Sequence, residues 1–188
     1  MKVHELFEET KPDYFNRLEQ ELKIKRIGKG AFARVFQHPT EPNIAVKVFT
    51  DEDRAFRHYL KFCQAHPDNK YLPKIYSVVK HRHNPAKKDK DLSIDEIVDW
   101  KYSIAFMEKL KPVTKEKLVK FVSTFGIYNK EFDNLTTGEW RIFAYRQDED
   151  PDLAEFAKYL LKTSYALDLH TQNVMLRGNQ IVFIDPIS

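Results

Sequence analysis

Hydrophobic positions along the chain fall first into short runs with strand character and later into helical repeats. Residues 24–28, 33–37 and 44–49 are apolar-rich runs, separated by Gly28-Lys29-Gly30-Ala31-Phe32 and by the turn-forming His38-Pro39-Thr40-Glu41-Pro42-Asn43. They predict three antiparallel strands. Residues 51–65 put Phe56, Tyr59, Leu60 and Cys63 on one helical face, which His66-Pro67-Asp68-Asn69 closes. Two further strands follow over 74–80 and 102–108, and the charged stretch 81–99 reads as a solvated loop between them. Residues 3–22 are polar with helical spacing and a break at Pro12, predicting two short helices over a sheet edge.

Beyond Leu110 the period becomes helical. Thr114 can cap a helix carrying Leu118, Val119, Phe121, Val122 and Phe125, with Gly126 at its end. A short helix surrounds Trp140, Phe143 and Ala144. Asp150 as cap and Pro151 at the first helical position open a helix with Leu153, Phe156, Ala157, Leu160, Leu161 and Ser164 at core spacing. Two apolar runs, 174–176 and 181–184, flank Arg177-Gly178-Asn179-Gln180 and predict a hairpin. The change of period sets a boundary near Lys109, dividing the chain into 1–108 and 109–188 and making the fold class α+β.

Composition narrows the function classes. With 188 residues, 42% hydrophobic and 13% aromatic, the chain can bury a core, which excludes disorder throughout. Its 31 basic and 28 acidic residues nearly cancel to +3, too weak a field to argue for a nucleic-acid partner. Cys63 is the only cysteine, so no intramolecular disulfide forms, which fits a reducing compartment. No apolar run reaches spanning length and none opens the chain as a leader would, so a cytoplasmic protein without a membrane partner is expected. Among His66, His81, His83 and His170 no pair has the spacing of a helical zinc motif.

Candidate chemistry lies in three places. Glycines in the hairpin loop Gly28-Lys29-Gly30 would let backbone N–H groups approach phosphates, although two glycines in a hairpin also suit an ordinary turn. Lys47, in Ala45-Val46-Lys47-Val48, could hold α- and β-phosphates or simply extend its ammonium from a sheet face. Near the carboxyl end, Asp168 and Asn173 precede the hairpin and Asp185 ends its second strand. Either of the first two alone would read as a local turn residue. Together the three suit a hydroxyl-orienting carboxylate and two oxygen ligands for Mg²⁺.

Two stretches carry a family resemblance: Gly28-Lys29-Gly30-Ala31-Phe32 through Ile44-Ala45-Val46-Lys47-Val48, and Leu167-Asp168-Leu169-His170 through Asn173-Val174-Met175 to Ile184-Asp185-Pro186. They resemble the protein kinase-like superfamily, and within it the early serine/threonine protein kinases of short-tailed bacteriophages. His170, two residues after Asp168, also resembles the loop of aminoglycoside and choline kinases. The resemblance implies a minimal bilobal kinase fold: a five-stranded antiparallel N-lobe with one main helix, and a truncated helical C-lobe. It implies ATP and Mg²⁺, with γ-phosphoryl transfer to serine or threonine hydroxyls of host proteins, including transcription and translation machinery, in the host cytoplasm.

The site it implies uses Asp168 as base or hydroxyl orienter and Asn173 and Asp185 as metal ligands. Lys47 would hold the phosphates, Gly28, Gly30 and Phe32 would cover them, and Val35, Ala45, Met107 and Met175 would line the adenine pocket. The backbone of Glu108 and Leu110 would bond the base. No carboxylate lies between Arg54 and His66, so Glu52, one turn ahead of Phe56, is the candidate partner for Lys47, with Asp53 next. Ala166-Leu167 stand where kinases have His-Arg, and Pro186 replaces the Phe of the metal-binding triplet. A nucleotide-binding pseudokinase acting on a host protein and a small-molecule kinase are the alternative functions.

Overall fold

The computed structural model of the chain describes residues 24–30, 33–50, 52–82, 101–128, 130 and 132–188. The helices expected over 3–22, most of the charged loop and Phe32 lie outside them. The fold is α+β. It divides into two compact units, Met1–Arg54 with Ile75–Lys109 and Ala55–Lys74 with Leu110–Ser188.

The first unit is built on a five-stranded antiparallel sheet. Its strands are β1 (Arg26–Lys29), β2 (Ala33–Gln37), β3 (Ile44–Thr50), β4 (Ile75–Arg82) and β5 (Lys101–Glu108), ordered β1-β2-β3-β5-β4. β3 is paired on both edges, and its Ile-Ala-Val-Lys-Val-Phe-Thr run is buried from Ala45 onward. A central strand reads this way because neither face is left to solvent. Val46, Val48, Phe36 and Ile104, all nearly inaccessible, point to one side.

Among its described residues the second unit contains four α-helices, α1 (Arg54–Ala65, from Ala55 onward), α2 (Lys115–Ser123), α3 (Thr137–Tyr145) and α4 (Pro151–Lys162), and a single 3-10 turn at Phe132–Asn134. A small sheet completes it, with β6 (Lys111–Pro112), β7 (Val174–Arg177) and β8 (Gln180–Phe183) in that order. Its core is aromatic. Phe183 stacks on Phe156 at 4.3 Å and meets Phe132 edge-on at 5.1 Å, while Trp140 stacks on Phe132 at 5.7 Å. The helix signals of the sequence act as expected: the Thr114 hydroxyl accepts from the Lys117 amide, the Asp150 carboxylate accepts from the Leu153 amide, and Gly126 leaves α2 with φ +79°.

Three details depart from the sequence reading. α1 opens at Arg54 rather than at residue 51, because the Asp53 amide donates to the Thr50 carbonyl and the Arg54 amide to Glu52, making a tight turn first. Its apolar face also groups with the second unit, where the Tyr59 hydroxyl donates to the Phe183 carbonyl at 2.5 Å. β6 was not anticipated, since a two-residue strand ending in proline carries no period. Lys111 pairs with Leu176 and Pro112 with Met175.

Candidate active site

In the first unit the glycine hairpin is a closed turn. The Gly30 amide donates to the Ala33 carbonyl at 3.0 Å, and the Arg34 guanidinium folds back to donate to the carbonyls of Gly30 and Ala33, each at 2.8 Å. Gly28 lies opposite Val35, and a Cβ there would stand 3.3 Å from that of Val35, so a larger residue would press β1 away from β2 by a few tenths of an ångström. Arg34 thus anchors the loop's own carbonyls.

Directly opposed residues in an antiparallel sheet share a face, as do residues two apart on one strand. Lys47 opposes Val35 on β2 and Ala105 on β5, while Ala45 opposes Met107. Four of the residues singled out in the sequence, Val35, Ala45, Lys47 and Met107, are therefore on one face of the sheet. Lys47 is 5% exposed. An ammonium is costly to bury without partners, so a lysine at this depth is seldom kept for packing alone. Glu108 ends β5 opposite Ile44, and the Lys109 amide extends the ladder to the Asn43 carbonyl at 2.8 Å. Glu52 is exposed in the turn before α1, so it is not a helical residue on the face of Phe56 as the sequence suggested.

In the second unit Asp168, Asn173 and Asp185 are drawn together by backbone bonding. Residues 166–168 pair antiparallel with the carboxyl terminus: the Asp168 amide donates to the Pro186 carbonyl at 2.8 Å, and Ala166 and Ser188 exchange bonds of 3.1 and 3.0 Å. The Ile184 amide donates to the Asn173 carbonyl at 2.9 Å, holding the residue before Asp185 against the loop. The Asn173 side-chain amide donates to the Asp168 carbonyl at 2.9 Å through its nitrogen, and its Oδ1 takes no part in that bond. That oxygen and the half-buried Asp185 carboxylate are hard donors of the kind Mg²⁺ takes, so the residues fit that ion. Among the described residues no three His, Cys, Asp or Glu side chains gather as a metal cluster.

Burial stiffens this arrangement from below. Phe183, two residues before Asp185, donates its amide to the Tyr71 carbonyl at 2.9 Å and receives the Tyr59 hydroxyl on its own carbonyl. Burial holds the Tyr59 hydroxyl well above its ordinary 10.0, so it stays protonated and donating. Burial likewise pushes the Cys63 thiol up to about 12, which removes it as a nucleophile. The Tyr59 and Tyr71 contacts were not legible in sequence, where Tyr59 read only as an apolar position and Tyr71 was not singled out. Met175 on β7 is half-buried opposite Val182, and Leu110 opens the longer segment of the second unit.

His170 was noted in the sequence for its place after Asp168 and weighed with other histidines as a zinc candidate. Its Nε2 lies 3.2 Å from Asp168 Oδ1, and its Nδ1 receives the Gln172 amide at 3.1 Å.

A family model described as Bacteriophage T7 protein kinase 0.7 matches residues 8–188, nearly the whole chain. No curated protein matches it.

Proposed function

The chain belongs to the bacteriophage T7 protein kinase 0.7 family, and we propose that it is an ATP-dependent kinase transferring the γ-phosphoryl group to serine or threonine hydroxyls of proteins. The observation that supports this most is the bonding of residues 166–168 and 173 to residues 184, 186 and 188, which ties the loop carrying Asp168 and Asn173 to the segment carrying Asp185; in this reading Asp168 orients the hydroxyl and Asn173 and Asp185 are the oxygen ligands. The two units then act as the lobes of a minimal kinase. Lys47 binds the α- and β-phosphates, with Glu52 as its candidate counter-charge. The Gly28 to Gly30 turn, with Phe32, covers the phosphates. Val35, Ala45, Met107 and Met175 line the adenine, and the backbone of Glu108 and Leu110 bonds it.

Mg²⁺, when bound by Asn173 and Asp185, neutralises charge on the phosphates. The protein's own contribution is positioning: Asp168 accepts the hydrogen bond of the attacking hydroxyl and takes its proton as the new O–P bond forms. As members of a phage family act in an infected cell, the acceptors are host proteins of the cytoplasm, with the transcription and translation machinery as first candidates.

The test is incubation with γ-labelled ATP, Mg²⁺ and host extract, followed by phosphoamino-acid analysis. Label on serine and threonine that disappears with Lys47→Met supports the reading. Nucleotide binding without any transfer would instead make the chain a pseudokinase, and a labelled small alcohol without protein label a small-molecule kinase.

A further inference from the structure

His170 has a geometry that decides what its ring can and cannot do. The Gln172 backbone amide is a donor, so Nδ1, 3.1 Å away, must accept with its lone pair. In the neutral ring the hydrogen therefore sits on Nε2. That nitrogen lies 3.2 Å from Asp168 Oδ1. The Asn173 side-chain nitrogen, 3.3 Å from Nε2, also carries hydrogens and spends one on the Asp168 carbonyl at 2.9 Å. Two donors facing each other form no bond, which leaves the carboxylate as the partner of the Nε2 hydrogen.

From this we infer that His170 is a positioning residue for phosphoryl transfer: its Nε2–H holds Asp168 Oδ1 so that Oδ2 is presented to the acceptor hydroxyl. The inference rests on the kinase reading above. In this tautomer Nε2 has no lone pair and that of Nδ1 is engaged by the Gln172 amide, so the ring does not replace Asp168 as acceptor. In the transfer step the hydroxyl oxygen bonds to the γ-phosphorus, its proton passes to Asp168 Oδ2, and the bond from the γ-phosphorus to the bridging oxygen breaks to release ADP. The electron pair of that bond leaves with ADP, and His170 gains and loses nothing. A carboxylate 39% exposed on its side chain would otherwise sample several rotamers, and a small misplacement of a reacting group is expensive. The loop geometry suits a histidine: the ring is fixed at both ends, by a backbone donor within its own loop and by the carboxylate.

The test compares His170→Ala and His170→Gln in steady-state kinetics and thermal melting. Gln can place an amide donor near the position of Nε2. His170→Ala is expected to lower kcat roughly 10- to 100-fold with the KM for ATP and the melting temperature unchanged, and His170→Gln to recover part of that loss. In an Asp168→Asn background His170→Ala should cost nothing further. Full activity of His170→Ala, or a raised KM at unchanged kcat, overturns the inference. Long-range nitrogen NMR on histidine-labelled wild-type protein reads the tautomer independently of turnover. An Nε2–H ring at His170 is expected, and an Nδ1–H ring refutes the positioning role. A wild-type protein that transfers nothing would refute the kinase reading, while the tautomer would still decide whether His170 holds Asp168.

Discussion

Tyr59→Phe is the sharpest probe of how the second unit holds Asp185. The substitution keeps the ring and its packing and removes one oxygen. Tyr59 is fully buried, and its hydroxyl is the donor to the Phe183 carbonyl, whose own amide is committed to Tyr71. Without the hydroxyl that carbonyl faces an apolar ring and, at 0% exposure of Phe183, has no water to turn to. Leaving a buried acceptor unmet costs about 1–3 kcal/mol. Taking about 2 kcal/mol, and about 2–4 °C per kcal/mol for a chain of this size, the melting temperature should fall by roughly 4–8 °C. Thermal melts followed by circular dichroism measure it, with Tyr145→Phe, at an 83% exposed position, as the unaffected control. Hydrogen exchange at the Phe183 and Ile184 amides should speed up in the same variant. A Tyr59→Phe protein as stable as the wild type would refute the bond and the anchoring role given to it.

Buried phenols and the buried thiol also set an alkaline limit. Unfolded tyrosine ionises near 10.0 and unfolded cysteine near 9.0, whereas in the fold burial keeps Tyr59 protonated well above that and Cys63 to about 12. The unfolded chain loses those protons first, so stability is complete below about pH 9 and should fall as pH rises beyond it, read as melting temperature against pH. At the acid end Glu139, bonded by Lys130 and capping α3 through Thr136, ionises near 2 instead of its usual 4.5. Its stabilising share is present above pH 4.5 and lost on acidification towards 2, and Lys130→Met should move the NMR-titrated value back up. Gly178 turns the β7–β8 hairpin at φ +61°, so Gly178→Ala should destabilise the protein by about 1 kcal/mol in a denaturant melt; no change would contradict the left-handed turn.

Elements with a strong local signal were legible from residue pattern. β3 was visible because a doubly paired strand is apolar throughout, and α4 because Asp150 and Pro151 mark its start while Leu153, Phe156, Ala157 and Leu160 repeat along it. The turn at Gly178 and the left-handed turn at Gly126 after α2 were visible because only glycine enters that conformation freely. Long-range choices were not. That α1 groups with the second unit depends on Tyr59 meeting a carbonyl far along the chain, and an amphipathic period says which face is buried without saying against what. Lys47, Ala45, Val35 and Met107 were named separately, and only strand register puts them on one face. Of the carboxyl-terminal group, Asp168, Asn173 and Asp185 could be picked out by spacing, whereas their bonding through Pro186 and Ile184 is a matter of backbone donors that carry no residue signature.

The most direct test of the central claim, that Asp168 orients the hydroxyl in phosphoryl transfer, is a single-turnover measurement on Asp168→Asn with γ-labelled ATP and Mg²⁺, alongside nucleotide binding by calorimetry. The account predicts binding close to that of the wild type, with transfer reduced by a factor on the order of 100 or more. Transfer at the wild-type rate in that variant would contradict it.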